Sequence, residues 1–192
     1  MSYRTAAAAA YLFACDEEVG VAKLGVQLLS NLAEKRCYLA MLNMVHLHTI
    51  GVPAGQNLAL ARTWAIRAQS LHPTLTDADD LCDAGSFCDQ YAYWLNTTER
   101  DALSFWERAA SLGSGHALWQ ICEKTRADKG TQAWFDRVEI AAALGSSDAM
   151  IELAECDGVR DTEQELIWLR AAAALGSLRA EEMLKYECTS IR

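Results

Sequence analysis

The hydrophobic and small residues of this chain fall into a pattern that recurs. Trp106–Ala117, Ile140–Ala149 and Trp168–Ala180 each carry a run rich in alanine, then Leu-Gly-Ser, then a further alanine four residues past the glycine. Glycines 113, 145 and 176 are separated by 32 and 31 residues, the length of one helix-turn-helix unit of a repeat array. Glycine after leucine suits the left-handed residue that closes a helix, where a Cβ costs about 1 kcal/mol or more. Apolar residues at helical spacing on either side, such as Leu103, Trp106 and Leu112 or Leu166, Leu169 and Leu175, are expected to face a core.

The ladder extends backwards with substitutions at the turn. Ala33–Ala40 keeps the spacing with Arg36 in the glycine position, and Gln69–Thr76 places His72 there with Pro73 just beyond. First helices are expected to start near residues 8, 40, 76, 117, 149 and 180. The chain then reads as a single repeat domain, 1–192, with units near 8–36, 40–72, 76–113, 117–145 and 149–176 and a terminal helix over 180–190. Close packing within each pair requires small side chains in the seam, and Ala109, Ala110, Ala142, Ala171 and Ala172 supply them. Thr98-x-x-Asp101 and Thr162-x-x-Glu165 read as capping boxes for second helices, and Ser146 or Ser147 as the cap of the helix through Ala149.

At these residues the chain resembles the Sel1-like repeat family, relatives of the tetratricopeptide repeat. Its fullest unit carries Ala40, Leu42, Gly51, Val52, Ala59, Ala61, Trp64, Arg67 and Ala68. The first-helix Leu-Gly pair of the family is absent, the inner loop is shortened in the fourth and fifth units, and only Trp64, Trp106 and Trp168 hold the tryptophan position. The resemblance implies an all-α, right-handed α-α superhelix (solenoid) of about five helix pairs plus a C-terminal helix. It also implies a scaffold or adaptor that holds a protein or peptide on a concave surface lined by first helices.

Composition narrows the function. The 17 Lys and Arg against 26 Asp and Glu leave a net charge of -9, which argues against general binding to nucleic-acid phosphates and for a basic protein partner. The longest apolar run, Ala6–Cys15, is far short of the roughly 18 residues a membrane span needs. Arg4 followed by Leu12-Phe13-Ala14-Cys15 loosely imitates a lipoprotein signal, yet Ala8–Asp16 matches Ala149–Asp157 position for position, which reads as a first repeat. Seven cysteines without a recurring close pair fit buried thiols in a reducing cytosol, so a cytoplasmic location is expected.

A search for chemistry finds little. His46 and His48, two apart on a helix, point in different directions and cannot jointly hold a metal. Cys82 and Cys88, close to two turns apart, could approach His72; the simpler reading is two buried thiols. No phosphate loop, dinucleotide fingerprint or nucleophile elbow appears, and Gly113-Ser114-Gly115 is a helix turn. No catalytic residue, cofactor, metal or small-molecule substrate is therefore assigned.

The acids Asp77, Asp79, Asp80 and Asp83, then Glu152, Glu155 and Asp157, then Glu163 and Glu165, suit solvated helix starts or, alternatively, a negative groove. The third unit is the longest, its excess lying between Ala84 and Thr98. Tyr91, Tyr93 and Trp94 there either extend the first helix and pack beside a neighbour or form an exposed contact patch. The candidate contact residues are Tyr91, Tyr93, Trp94, Asp79, Asp80, Asp83, Asp89, Trp119, Glu123, Glu152 and Glu155. An adaptor is the first expectation; the alternative is an immunity or antitoxin-type inhibitor of a basic toxin, with an enzyme third.

Overall fold

The computed structural model describes residues 2–53, 55–125, 128–156 and 162–190, the side chains of 162 and 186–190 excepted. Among these residues the regular structure is helical: α1 (Tyr3–Ala14), α2 (Val19–Glu34), α3 (Tyr38–Ile50), α4 (Leu58–Gln69), α5 (Ala78–Gln90), α6 (Ala92–Leu95), α7 (Glu99–Ser111), α8 (Gly115–Lys124), α9 (Gln132–Ala143), α10 (Ser147–Glu155), α11 (Thr162–Ala174) and α12 (Leu178–Ser190). A short 3-10 turn spans His72–Thr74. The chain divides into two compact units, the first ending at Ala102 and the second beginning at Leu103.

The recurring turn has one construction. At 113, 145 and 176 the glycine is left-handed, with φ between 88 and 92°. The serine after it donates its backbone N–H to the carbonyl five residues back, Ser114 to Ala109, Ser146 to Ala141 and Ser177 to Ala172. The same serine caps the next helix, its hydroxyl accepting from the N–H of Ala117, Ala149 or Ala180 at 3.2–3.4 Å. Arg36 takes the glycine's place with φ 63°, and Cys37 N–H reaches Leu32 O, so the turn survives the substitution. The turn at 72 differs. Pro73 draws His72 into the 3-10 turn, and no left-handed residue is needed.

The ladder alanines mark a place inside each first helix rather than its start. α3, α8, α10 and α12 begin two residues before their alanine, and α5 two residues after position 76. α1 begins five before Ala8, because Ser2 caps it by accepting from Thr5 N–H at 3.1 Å. Asp101 and Thr98 form the expected reciprocal cap of α7: Thr98 N–H donates to Asp101 Oδ2 at 2.7 Å, and Asp101 N–H donates to Thr98 Oγ1 at 3.4 Å. Asp157 and the side chains of Thr162 and Cys188 lie outside the described residues.

In the first unit, α1 and α2 form an antiparallel hairpin that closes at Gly25, where an added Cβ would meet Ala14 N at 2.2 Å. α2 and α4 are joined by Arg67, which grips both oxygens of Glu34 at 2.8 Å while lying 4.2 Å from the Trp64 ring centroid. His72 is buried between Tyr38 of α3 and Phe87 of α5, its Nε2 3.0 Å from the Tyr38 hydroxyl. Burial pushes its pKa down to about 4, so the ring is neutral near pH 7.

The second unit buries Trp134, Val138, Ala141, Ala142, Ile151, Leu153, Leu169 and Ala172 in one core. Ala109, Ala142 and Ala172 are fully enclosed, while Ala110 and Ala171 are half-buried. The leucines of the Leu-Gly pairs depart from expectation. Trp106 and Leu169 are buried and Leu103 and Leu166 half-buried, but Leu112, Leu144 and Leu175 are exposed. Each of the three follows the last helical turn as the chain reverses, so its side chain leaves the seam that the alanines fill.

Candidate functional site

The first helices α1, α3 and α5 of the first unit are joined by polar and aromatic contacts. Asn43 Nδ2 reaches Ala7 O at 3.4 Å, and the rings of Tyr11 and His46 are 5.9 Å apart. From α1, Arg4 reaches three carboxylates of α5: Asp79 at 3.3 Å, Asp80 at 2.7 Å and Asp83 at 2.9 Å. Burial pushes the Asp80 and Asp83 carboxyls above their usual range, and Arg4 opposes that rise. Asp77 caps α5 instead, accepting from the N–H groups of Asp79 and Asp80.

Between α3 and α5 lies a groove of about 210 Å³. Its walls are two stripes of identical helical spacing, Leu39, Leu42, Asn43 and His46 on α3 and Asp83, Ser86, Phe87 and Gln90 on α5. Tyr91 closes the stripe, and burial raises its phenol pKa. Apolar groups line the groove together with the amides of Asn43 and Gln90, the His46 imidazole, the Asp83 carboxylate and the hydroxyls of Ser86 and Tyr91. That set suits the side chains and backbone of a peptide.

The long third unit combines both sequence readings. Ala84–Gln90 continues α5, with Phe87 and Cys88 buried, and Leu95 of the short α6 is buried too. Asn96 turns left-handed, Thr97 Oγ1 donates to Cys88 O at 2.9 Å, and Gln69 Nε2 donates to Leu95 O at 3.1 Å. Tyr91 and Trp94 are half-buried and stacked, with ring centroids 5.3 Å apart, whereas Tyr93 is 97% exposed. Asp89 is exposed on the last turn of α5.

The remaining sequence candidates lie in the second unit. Trp119 is 7% exposed and belongs to the core there, because its position on α8 corresponds to the buried Ile151 of α10; a contact role at the surface does not fit it. Glu123 is half-buried, Glu152 pairs with Lys129, and Glu155 pairs with Arg179. Of the acids expected to make a negative field, Glu152 and Glu155 each pair with one cation, while Asp79, Asp80 and Asp83 share the single guanidinium of Arg4.

Sequence reasoning did not single out Arg4 as the counter-ion of the α5 acids, nor the α3 stripe. The stripe's signal was present, since 39, 42, 43 and 46 share one helix face. His46 looks into this groove, while His48 lines a separate small cavity beside Lys23 and Val52. Cys82 and Cys88 are buried, and among the described residues no group of three or more His, Cys, Asp or Glu could hold a metal ion. Nor is any described helix long and apolar enough to cross a membrane.

No protein-family model matches the chain, and no curated protein matches it in sequence. Solved structures do. A Sel1 repeat protein from Oxalobacter formigenes superposes with a TM-score of 0.58 at 18% identity, covering 93% of this chain and 75% of that one. A protective antigen of uropathogenic Escherichia coli strains displaying an SLR fold gives a TM-score of 0.38 at 17% identity, over 82% of this chain and 42% of that one. Given its helices, its left-handed turn ladder and the first of these superpositions, the chain has the all-α fold of the Sel1 repeat proteins.

Proposed function

We propose that the chain is a non-catalytic protein-interaction module that receives a peptide segment of its partner in the α3–α5 groove. Proteins of the Sel1-repeat fold are generally interaction scaffolds. The observation that carries the reading is the groove itself: paired stripes of apolar and polar side chains closed by Tyr91, on which Trp94 stacks, with Tyr93 exposed two residues beyond Tyr91 along the chain. Tyrosine and tryptophan supply much contact area for little lost side-chain freedom, which makes them anchors in interfaces. Inhibition of a basic toxin, the narrower reading, rests on small size and a net charge of -9 alone; the acids Asp79, Asp80, Asp83, Glu152 and Glu155 that would meet such a partner are paired within the chain.

Selection of a random peptide display library against the purified chain tests the proposal. Enriched peptides are expected to bind with micromolar or tighter affinity and to lose at least roughly tenfold on Ser86→Trp, which fills the groove, or Tyr93→Ala, which removes the exposed ring. No enrichment, or binding indifferent to both substitutions in folded protein, overturns it.

A further inference from the structure

The outer face of the α1–α2 hairpin is a second apolar surface, distinct from the groove. In the repeat register that aligns Ala8 with Ala40 and Ala149, positions Ala9, Leu12 and Phe13 correspond to Met41, Met44 and Val45 of α3 and to Met150, Leu153 and Ala154 of α10. Those six counterparts are all buried. On α1, Leu12 is 72% and Phe13 47% exposed. Between the two helices runs a groove of about 360 Å³, lined by Ala6, Ala9 and Phe13 of α1, Leu28 and Leu32 of α2, and Lys35 just past the end of α2. Apolar surface at positions that are core elsewhere in the same repeat marks a docking face.

The charges at the ends of this face say what fits it. Lys35 Nζ lies 5.9 Å from the Tyr3 ring centroid, which sets the C-terminal end of α2 beside the start of α1. Gly25 abuts Ala14, which sets the α1–α2 turn at the other end. One end therefore presents the exposed cations Lys35 and Arg36, and the other the exposed acids Asp16, Glu17 and Glu18. Among the described residues none of these five has an ion-pair partner. A two-fold axis lying in such a face and crossing the helices at mid-length exchanges its ends, so the basic end of one copy meets the acidic end of the other twice over. A face with a positive end and a negative end is complementary to itself under that operation.

We propose that the outer α1–α2 face binds a second copy of this chain about a two-fold axis, with Phe13 and Leu28 in the apolar contact and Lys35 opposite the Glu17–Glu18 pair of the other copy. Sedimentation equilibrium of the 192-residue chain is the test. Across roughly 1–100 µM the mass should rise to twice 21.1 kDa. Phe13→Arg should return it to 21.1 kDa with unchanged helical circular dichroism; Leu12→Gln, at a more exposed position, serves where the first change disturbs the helix.

Lys35→Glu alone, or Glu17→Lys with Glu18→Lys, should each abolish the dimer, and mixing the two variants should restore a one-to-one pair. The proposal is overturned by a wild-type chain that stays monomeric. It is equally overturned by a dimer that survives both apolar substitutions, or by variants that remain monomeric when mixed.

Discussion

Gly20 and Gly25 lie on the same helix, five residues apart, yet alanine should act on them with opposite sign. An isolated helix gains about 1 kcal/mol when an interior glycine becomes alanine, because the unfolded chain loses freedom and the helical backbone is shielded. At Gly20 a Cβ would meet only Glu18 Oε1, at 3.7 Å. That is ordinary contact with a flexible side chain, so most of the gain should appear, reduced to about 0.5 kcal/mol because the site is in the first turn.

At Gly25 the same atom would lie 2.2 Å from Ala14 N, 2.6 Å from Phe13 C and 2.7 Å from Ala14 Cα. Carbon atoms in contact sit about 3.5–4 Å apart, so the end of α1 would have to retreat by roughly 1 Å. Backbone cannot swing aside as a side chain can. Overpacking of this kind costs about 1–3 kcal/mol, which exceeds the propensity gain, and a net loss of about 1–2 kcal/mol is expected. Urea unfolding followed by far-ultraviolet circular dichroism should order the midpoints as Gly20→Ala, wild type, Gly25→Ala. A Gly25→Ala midpoint at or above wild type would refute the close approach of α1 and α2.

Other expectations use the same assay. His72 has its pKa pushed down to about 4 in the folded state against 6.5 for an ordinary imidazole. The unfolded chain therefore takes up this proton first as the pH falls. Stability should be complete above pH 6.5 and drain away between 6.5 and 4 by about 3 kcal/mol; His72→Gln should flatten that slope, and an unchanged slope would refute the assignment. Arg4→Met should lower the midpoint near neutral pH by about 1–2 kcal/mol, less than for a fully buried pair because a third of Arg4 is exposed. The difference should shrink in acid as Asp80 and Asp83, whose pKa values are raised, take up protons. Ala142→Phe, in the closed seam of the second unit, should cost about 1–3 kcal/mol, and a neutral result would place that seam at the surface.

Much of the architecture could be read before any coordinate because one device repeats. A left-handed residue must follow the helix, a hydrogen-bonding side chain must cap the next, and a small residue must sit in the seam, so Gly145, Ser146 and Ala149 recur with their counterparts at fixed intervals. Arg36 shows why the device tolerates exceptions: the backbone bonds of the turn do not depend on the side chain that strains it. What escaped the sequence depended on direction rather than spacing. Leu112, Leu144 and Leu175 are periodic and apolar, but they occupy the reversing residue, and periodicity says nothing of where a reversing residue points. Trp119 has the composition of an anchor and the position of a core residue, and position prevails.

The candidate site was legible only in fragments, because it joins helices distant in sequence. Asp80 and Asp83 read as a negative surface until Arg4, 76 residues from Asp80, is brought against them. A field of unpaired acids would draw a basic partner from a distance and set its rate of approach, an effect that salt screens away. Arg4 offsets only one of the three carboxylate charges of Asp79, Asp80 and Asp83, and beside them the groove offers short-ranged groups: aliphatic stripes, amides and Tyr91, on which Trp94 stacks. Such groups discriminate by fit, so selectivity for a segment should reside in the shape and hydrogen bonding of its side chains. The exposed charges Asp16, Glu17, Glu18, Lys35 and Arg36 lie instead at the two ends of the outer α1–α2 face, where the proposed pairing of copies would use them.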